Sequence, residues 1–397
     1  ALACIVIQSN QNDQHGGQSV PNFDYGMAPG VKKAYKRLYV TNLGKMLDFL
    51  EDVEDGVERM KALSGKIEHE YGVFPCMAWD NSYAELELEE LKKLVPEAEA
   101  KKMQERSRKF ADKEIRRKTY QAMEAFIHNL NTMHSRAGAQ VPFSSINYGT
   151  DTSPEGRLVM ESVMLATEAG LGNGETPIFP IQIFKVKEGV NYNPEDPNYD
   201  LFKLACRVSA KRLFPNFSFL DAPFNRQYYV EGRPETECAY MGCRTRVIGN
   251  VYDPTREIVY GRGNLSFTSV NLPRLAIKAK GDVDLFFELL DNMIDLAMGQ
   301  LMERYRIQSQ KKVRNFPFLM GQGIWLDSEK LGPDDTIEEV IKHGTLTVGF
   351  IGLAECLKAL IGAHHGESVE AQNLGLEIVG YMRKRLDEQA RKSGLNW

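Results

Sequence analysis

Apolar positions recur at helical spacing over 29–70 and again over 80–134, where Pro96 offers a favourable first-turn restart. Within the second stretch Ala84, Leu88, Leu91 and Val95 share one face among Glu and Lys, which predicts a solvated helix packed along a single stripe. The texture then changes to short strand-like runs at 141–148, 178–186, 265–272 and 346–351. They alternate with helical patterns over 155–169, 199–212, 282–308, 336–342, 352–363 and 368–391. The chain thus reads as α/β, with a helix-rich part over 29–135 and an α/β part over 136–397. No repeat of fixed period and no low-complexity linker divides it, so one domain over 1–397 is expected. Residues 8–25, QSNQNDQHGGQSVPNFDY, and 232–254 lack periodicity and read as loops, the first dense enough in donors and acceptors to bind something.

Charge and cysteine spacing narrow the partners. Of 397 residues 43% are hydrophobic and 26% charged, an ordinary globular balance. Acidic residues outnumber basic ones, 54 to 49, so the broad positive field needed for nucleic acid or a membrane surface is not expected. No run approaches the roughly 18 apolar residues of a membrane span, and no basic start precedes an apolar core, which points to a cytoplasmic protein. Cysteines stand at 4, 76, 206, 238, 243 and 356; with no CxxC pair, reduced thiols and no metal site in this chain are expected. The adjacent His364 and His365 point in different directions on regular structure and make a poor metal pair. The apolar opening Ala1-Leu2-Ala3-Cys4-Ile5-Val6-Ile7 and the ending Gly394-Leu395-Asn396-Trp397 both read as cut from a longer polypeptide.

Candidate chemistry lies on polar strand faces and in one loop. In GNLSFTSVNLPR strict alternation places Asn264, Ser266 and Thr268 on one side and Leu265 and Phe267 on the other, with Asn271 opposite the first set unless a bulge intervenes. In VPFSSINYG, Ser145 and Asn147 share a face, and in TLTVGFIG the strand glycine Gly349 marks a close approach of ligand or backbone. Cys4, Cys206 and Cys356 read as packing residues, and Cys76 sits in a turn without a partner. CAYMGCRTR differs: Gly242 lets the chain turn just before Cys243, and Tyr240 and Met241 could shelter its sulfur. The residues alone leave a structural loop, a reactive thiol and a metal pair with Cys238 all open.

At CAYMGCRTRV the sequence resembles the anaerobic, class III ribonucleoside-triphosphate reductases, a glycyl-radical enzyme family. The blocks QSNQNDQHGGQSVPNFDY, HNLNTMHSRAGAQVPFSSINYGTDTSPEGR, GNLSFTSVNLPRLAI and HGTLTVGFIGLAE resemble that family in its order, from about residue 8 to the end. The resemblance implies a ten-stranded α/β barrel of two antiparallel halves with a central finger loop, beside the long helical N-terminal third. It implies that Cys243 is the finger-loop cysteine, oxidised to a thiyl that takes the 3′ hydrogen of a bound ribonucleoside triphosphate, with Asn264 positioning the substrate. Met241, Ser145, Asn147, Ser266, Thr268, Asn271 and Gly349 are the further substrate-pocket candidates.

The same resemblance implies formate as reductant, ATP and dNTP effectors, a radical S-adenosylmethionine activating enzyme as partner, and a homodimer. A glycyl radical and zinc are expected in a C-terminal part beyond this chain, and an ATP-binding regulatory domain before it, so the chain alone is expected to be inactive. Gly380-Tyr381 mimics the radical motif, but Glu377 stands where the family has Arg and the stretch has a helical pattern. Relatives of pyruvate formate-lyase carry two adjacent loop cysteines where Met-Gly-Cys243-Arg has one. A non-catalytic nucleotide-binding or dimerising fragment is the other alternative.

Overall fold

The computed structural model describes residues 2–14, 16–50, 53–242 and 245–397. They form two compact units, Ala1–Ile5 with Gly17–Val247 and Val6–Gly16 with Ile248–Trp397, the first divide falling inside helix α1 (Leu2–Asn10).

The first unit is built on four parallel strands in chain order, β1 (Gln18–Val20), β2 (Ser144–Tyr148), β3 (Ile181–Val186) and β4 (Asn216–Phe219). Parallel neighbours need crossovers rather than tight turns. Helices α2 (Phe23–Asp48), α3 (Gly56–Tyr71), α4 (Asn81–Leu91) and α5 (Glu97–Thr132) lie between β1 and β2, α6 (Pro154–Ala169) between β2 and β3, and α7 (Tyr199–Arg212) between β3 and β4. A short α8 (Pro223–Arg226) then precedes the antiparallel hairpin of β5 (Ala239–Met241) and β6 (Thr245–Val247). Local signals set the helix starts: Ser153 accepts the Gly156 N–H ahead of Pro154, and Asp80 accepts that of Ser82. Strands β2 and β3 are buried along their whole length, as in a sheet covered on both faces; Ser145, Asn147, Gln182 and Lys185 find partners inside the protein, whereas the Ser144 hydroxyl has none among the described residues.

The second unit holds the parallel pair β7 (Asn264–Asn271) and β8 (Thr345–Ile351). Between them come α9 (Leu272–Ala279), α10 (Val283–Ser309) and α11 (Glu338–Ile341), and after them α12 (Leu353–Ile361) and α13 (Val369–Ser393). Val270, Leu272, Phe286, Leu290, Ile294, Leu301, Leu346, Leu357 and Ile378 form its core. The buried His343 is fixed from both ring nitrogens. Nε2 lies 2.9 Å from Asp327 and so carries the proton, while Nδ1 lies 3.0 Å from the Asn250 amide; Asp327 also accepts two bonds from Arg256, at 2.9 and 2.6 Å.

Several sequence expectations need correction. The 29–70 helix is two helices, α2 starting earlier at Phe23 and running through Pro29. Residues 8–25 are not one loop, since they hold the end of α1, all of β1 and the start of α2. The non-periodic 232–254 contains β5 and β6, strands of three residues each, too short to show alternation. On β7 a bulge breaks strict alternation, because Asn264 pairs with Thr345 while Ser266 pairs with the very next residue, Leu346. Asn264 therefore lies on the face opposite Ser266 and Thr268 and shares its face with Asn271.

The helical part of the first unit encloses a carboxyl that has no ion-pair partner among the described residues. Glu87 accepts from the Tyr39 hydroxyl at 2.5 Å, Gln104 Nε2 at 2.9 Å and the Tyr83 hydroxyl at 2.8 Å, with no cation among these donors. Burial pushes its pKa above the ordinary carboxyl value, against the pull of the three donors. A raised folded-state value means that the folded chain binds the proton more tightly than the unfolded one. The contribution is thus complete below the unfolded pKa, near 4.5, and is lost as pH rises through the folded one. Urea unfolding from pH 4 to 8 should show the parent losing stability with rising pH relative to Glu87→Gln, whose neutral amide cannot ionise; parallel curves would contradict the assignment.

Candidate functional site

Strand β5 carries the chain towards Cys243, which together with Arg244 lies outside the described residues. On either side of it Met241 pairs with Thr245 and Tyr240 with Arg246. The contacts that hold β5 come from β2 and β1. Asn147, wholly buried on β2, accepts the Tyr240 N–H at its Oδ1 (2.9 Å) and donates through Nδ2 to the Tyr240 carbonyl (2.9 Å) and to Ser19 Oγ (3.0 Å). Ser19 Oγ donates to the same carbonyl at 2.9 Å, and Ser145 Oγ accepts the Gly242 N–H at 3.2 Å. A single carboxamide thus does for Tyr240 what a neighbouring strand would do, supplying both an acceptor and a donor.

Two glycines complete this contact. A Cβ on Gly17, from the HGGQS block, would lie 2.9 Å from the Phe143 ring and 3.1 Å from Gly242 Cα. Gly242 has φ +54°, the left-handed region that glycine enters without steric cost. The backbone just before Cys243 therefore rests directly on the backbone of Gly17.

The carboxyl ends of the parallel strands carry a buried ionic cluster. Asp24 Oδ2 accepts the N–H groups of Gly149, Thr150 and Asp151 at 2.9, 3.1 and 3.1 Å, tying the start of α2 to the end of β2. Lys185 Nζ on β3, 1% exposed, lies 3.1 Å from Glu237 Oε2 and 2.5 Å from Asn22 Oδ1, and the Thr150 hydroxyl donates to the same Glu237 oxygen at 2.9 Å. Glu237 directly precedes Cys238, whose thiol is buried and pushed up to about 11 by that burial, the condition of an inert cysteine.

The remaining candidates belong to the second unit. Asn264 lines a cavity of about 200 Å³ with Asp13, Gln14, Gln308, Lys311 and Trp325. Ser266 accepts from Arg304 at 2.9 Å and Thr268 donates to Gln300 at 3.0 Å, so both face α10. Asn271 caps α9 by accepting the Arg274 N–H. A Cβ on Gly349 would meet Ser269 Oγ at 3.2 Å, so the close neighbour there is the adjoining strand. Gly380 and Tyr381 lie within α13. Met241, buried on β5, is brought together with Ser145 and Asn147 in the first unit.

Sequence reasoning missed Ser19, Gly17, Asp24, Lys185 and Glu237. One signal was available, since a lone Lys in the apolar run IQIFKV is costly to bury unless paired. Among the described residues no cluster of His, Cys, Asp and Glu is placed to hold a metal, and no helix is long and apolar enough to cross a membrane.

Comparison with known proteins identifies the class. The family model for anaerobic ribonucleoside-triphosphate reductase matches residues 1–397, and the chain belongs to that family. It is 33% identical over 291 residues to the anaerobic ribonucleoside-triphosphate reductase of Escherichia coli (strain K12), covering 72% of this chain and 39% of that protein. It is 31% identical over 292 residues to that of Enterobacteria phage T4, covering 72% and 45%. The chain thus spans about two fifths of the length of the curated relatives it matches. Among solved structures, the anaerobic ribonucleotide reductase from Thermotoga maritima with dATP bound in the specificity site aligns with 72% of this chain and 46% of that one. Its TM-score of 0.45 and identity of 14% are too low to place any residue.

The buried pair gives a direct test of the site's construction. Lys185→Met leaves Glu237 and Asp24 without their cation and should cost about 3–5 kcal/mol in chemical denaturation, whereas Lys185→Met with Glu237→Leu should recover much of it. A loss below about 1 kcal/mol for the single change would contradict the pairing.

Proposed function

We propose that this chain is the catalytic core of an anaerobic ribonucleoside-triphosphate reductase, with Cys243 as its hydrogen-atom carrier. The observation that carries the reading is the family match over 1–397; the role given to Cys243 rests on the resemblance of CAYMGCRTRV to that family's finger-loop sequence. The finer architecture belongs to the same proposal: a ten-stranded barrel of two antiparallel halves as a single catalytic domain, with the finger loop at its centre. In support, the described strands include one four-stranded parallel sheet and one parallel pair.

In this reading Cys243 takes the 3′ hydrogen of a bound ribonucleoside triphosphate, forming S–H as C3′–H breaks, and returns it after the 2′ hydroxyl has left as water. Formate supplies the two electrons, leaving as carbon dioxide. A glycyl radical, when present, supplies the oxidising equivalent that makes the thiol a thiyl. Asn264 orients the ribose, and Ser266, Thr268, Asn271 and Gly349 belong to the same strand pair. Deoxynucleotide effectors, a homodimer, a radical S-adenosylmethionine activating enzyme, zinc outside this chain and a cytoplasmic setting complete the proposal.

Cys238 is the natural control, because its buried, proton-holding thiol is unsuited to exchange with a substrate. In a full-length protein containing this chain, Cys243→Ala and Cys243→Ser should abolish nucleotide reduction while nucleotide affinity stays near the parent value. Cys238→Ala should keep most of the turnover. Equal residual turnover in the Cys243 and Cys238 variants would overturn the role given to Cys243.

A further inference from the structure

We propose that Asn147, seconded by Ser145 and Gly17, is the positioning residue for the Cys243 thiol: it fixes β5, the strand that delivers the chain to Cys243, and does not contact substrate. The inference rests on the function proposed above. Three observations in the first unit carry it. The Asn147 carboxamide satisfies both backbone groups of Tyr240, three residues before Cys243, and the Tyr240 carbonyl takes a second bond from Ser19. Ser145 holds the N–H of Gly242, the residue immediately before Cys243. Gly17 leaves no room between itself and Gly242 for a side chain.

These contacts lie on one side of one short strand and act on alternate backbone units, at 240 and 242. A strand of three residues has little cohesion of its own, and β5 pairs with β6, which is equally short. The fixed reference must come from elsewhere, and β2 is such a reference, buried along its length and flanked by β1 and β3. Asn147 and Ser145 are wholly buried and both engage backbone of 240–242, which leaves them no exposed polar edge for a nucleotide. Hydrogen-atom transfer needs carrier and carbon in contact, and a displacement of about 1 Å costs on the order of 100-fold in rate. Loss of the clamp should therefore appear in turnover and not in substrate affinity.

The test uses Asn147→Ala, Asn147→Asp and Ser145→Ala in a full-length protein containing this chain, with Cys243→Ala as reference. Asn147→Asp keeps the size but turns the donor towards the Tyr240 carbonyl into an acceptor. We expect kcat to fall about 100-fold in both Asn147 variants and about 10-fold in Ser145→Ala, with KM within about threefold of the parent. In parallel, alkylation of Cys243 by iodoacetamide, followed by peptide mass spectrometry, should change at least about fivefold relative to Cys76 in the same sample, because a merely structural loss would move both thiols. If Asn147→Ala fails to fold, Ser145→Ala, which removes one hydroxyl, decides. Parent-level kcat, or a change confined to KM, overturns the positioning role while Cys243→Ala stays inactive. Nucleotide reduction persisting in Cys243→Ala instead overturns the functional reading beneath it.

Discussion

The demand of a buried amide for partners organises the first unit. Asn147 sits in a strand with no access to water, where an unsatisfied carboxamide would cost on the order of a few kcal/mol. Its partners are the N–H and carbonyl of Tyr240, so the same energy that keeps the amide satisfied holds β5 in register with β2. Ser145 repeats the arrangement one step along, at Gly242. Ser145 and Asn147 of SSINY, out of place in a covered parallel strand if judged by hydropathy, couple the sheet to the hairpin.

That coupling needs a rigid sheet end, and the ionic cluster supplies it. Asp24 closes three consecutive N–H groups after β2, while Lys185 joins β3 through Glu237 to the segment that becomes β5. Glu237 and Cys238 thus lead into β5 from an anchored point, and Asn147 and Ser145 hold the backbone from Tyr240 to Gly242. The strand is fixed by charge at its entry and by neutral hydrogen bonds along its length. A buried ion pair adds little net stability against an apolar pair but tolerates few alternative arrangements, which suits a segment whose placement matters more than its strength.

Much of the fold is legible in the pattern of the chain, and the failures have physical causes. Tyr199–Arg212 can be read to the residue because its apolar stripe and the basic Lys211 and Arg212 at its end are local signals. β1, β4, β5 and β6 cannot, since three or four residues do not display a period and their pairing is decided by distant strands. The bulge that moves Asn264 off the face of Ser266 is a property of the β7–β8 register and leaves no mark in the alternation itself, although a bulge is the condition under which Asn271 changes sides. Ser145 and Asn147 stand out in the sequence for the right reason, polar groups on one strand face. Their partner, the backbone of 240–242, cannot be read without knowing that β5 lies beside β2.

Amide hydrogen exchange resolved to single residues tests the central claim most directly, because it reads the bond between Asn147 and the Tyr240 N–H in the chain itself and needs no activity. The account predicts that the Tyr240 amide exchanges as slowly as the amides inside β2 and β3, and that it becomes a fast-exchanging amide in Asn147→Ala while β3 stays protected. Exchange of the Tyr240 amide at the rate of an exposed loop in the parent chain would contradict it.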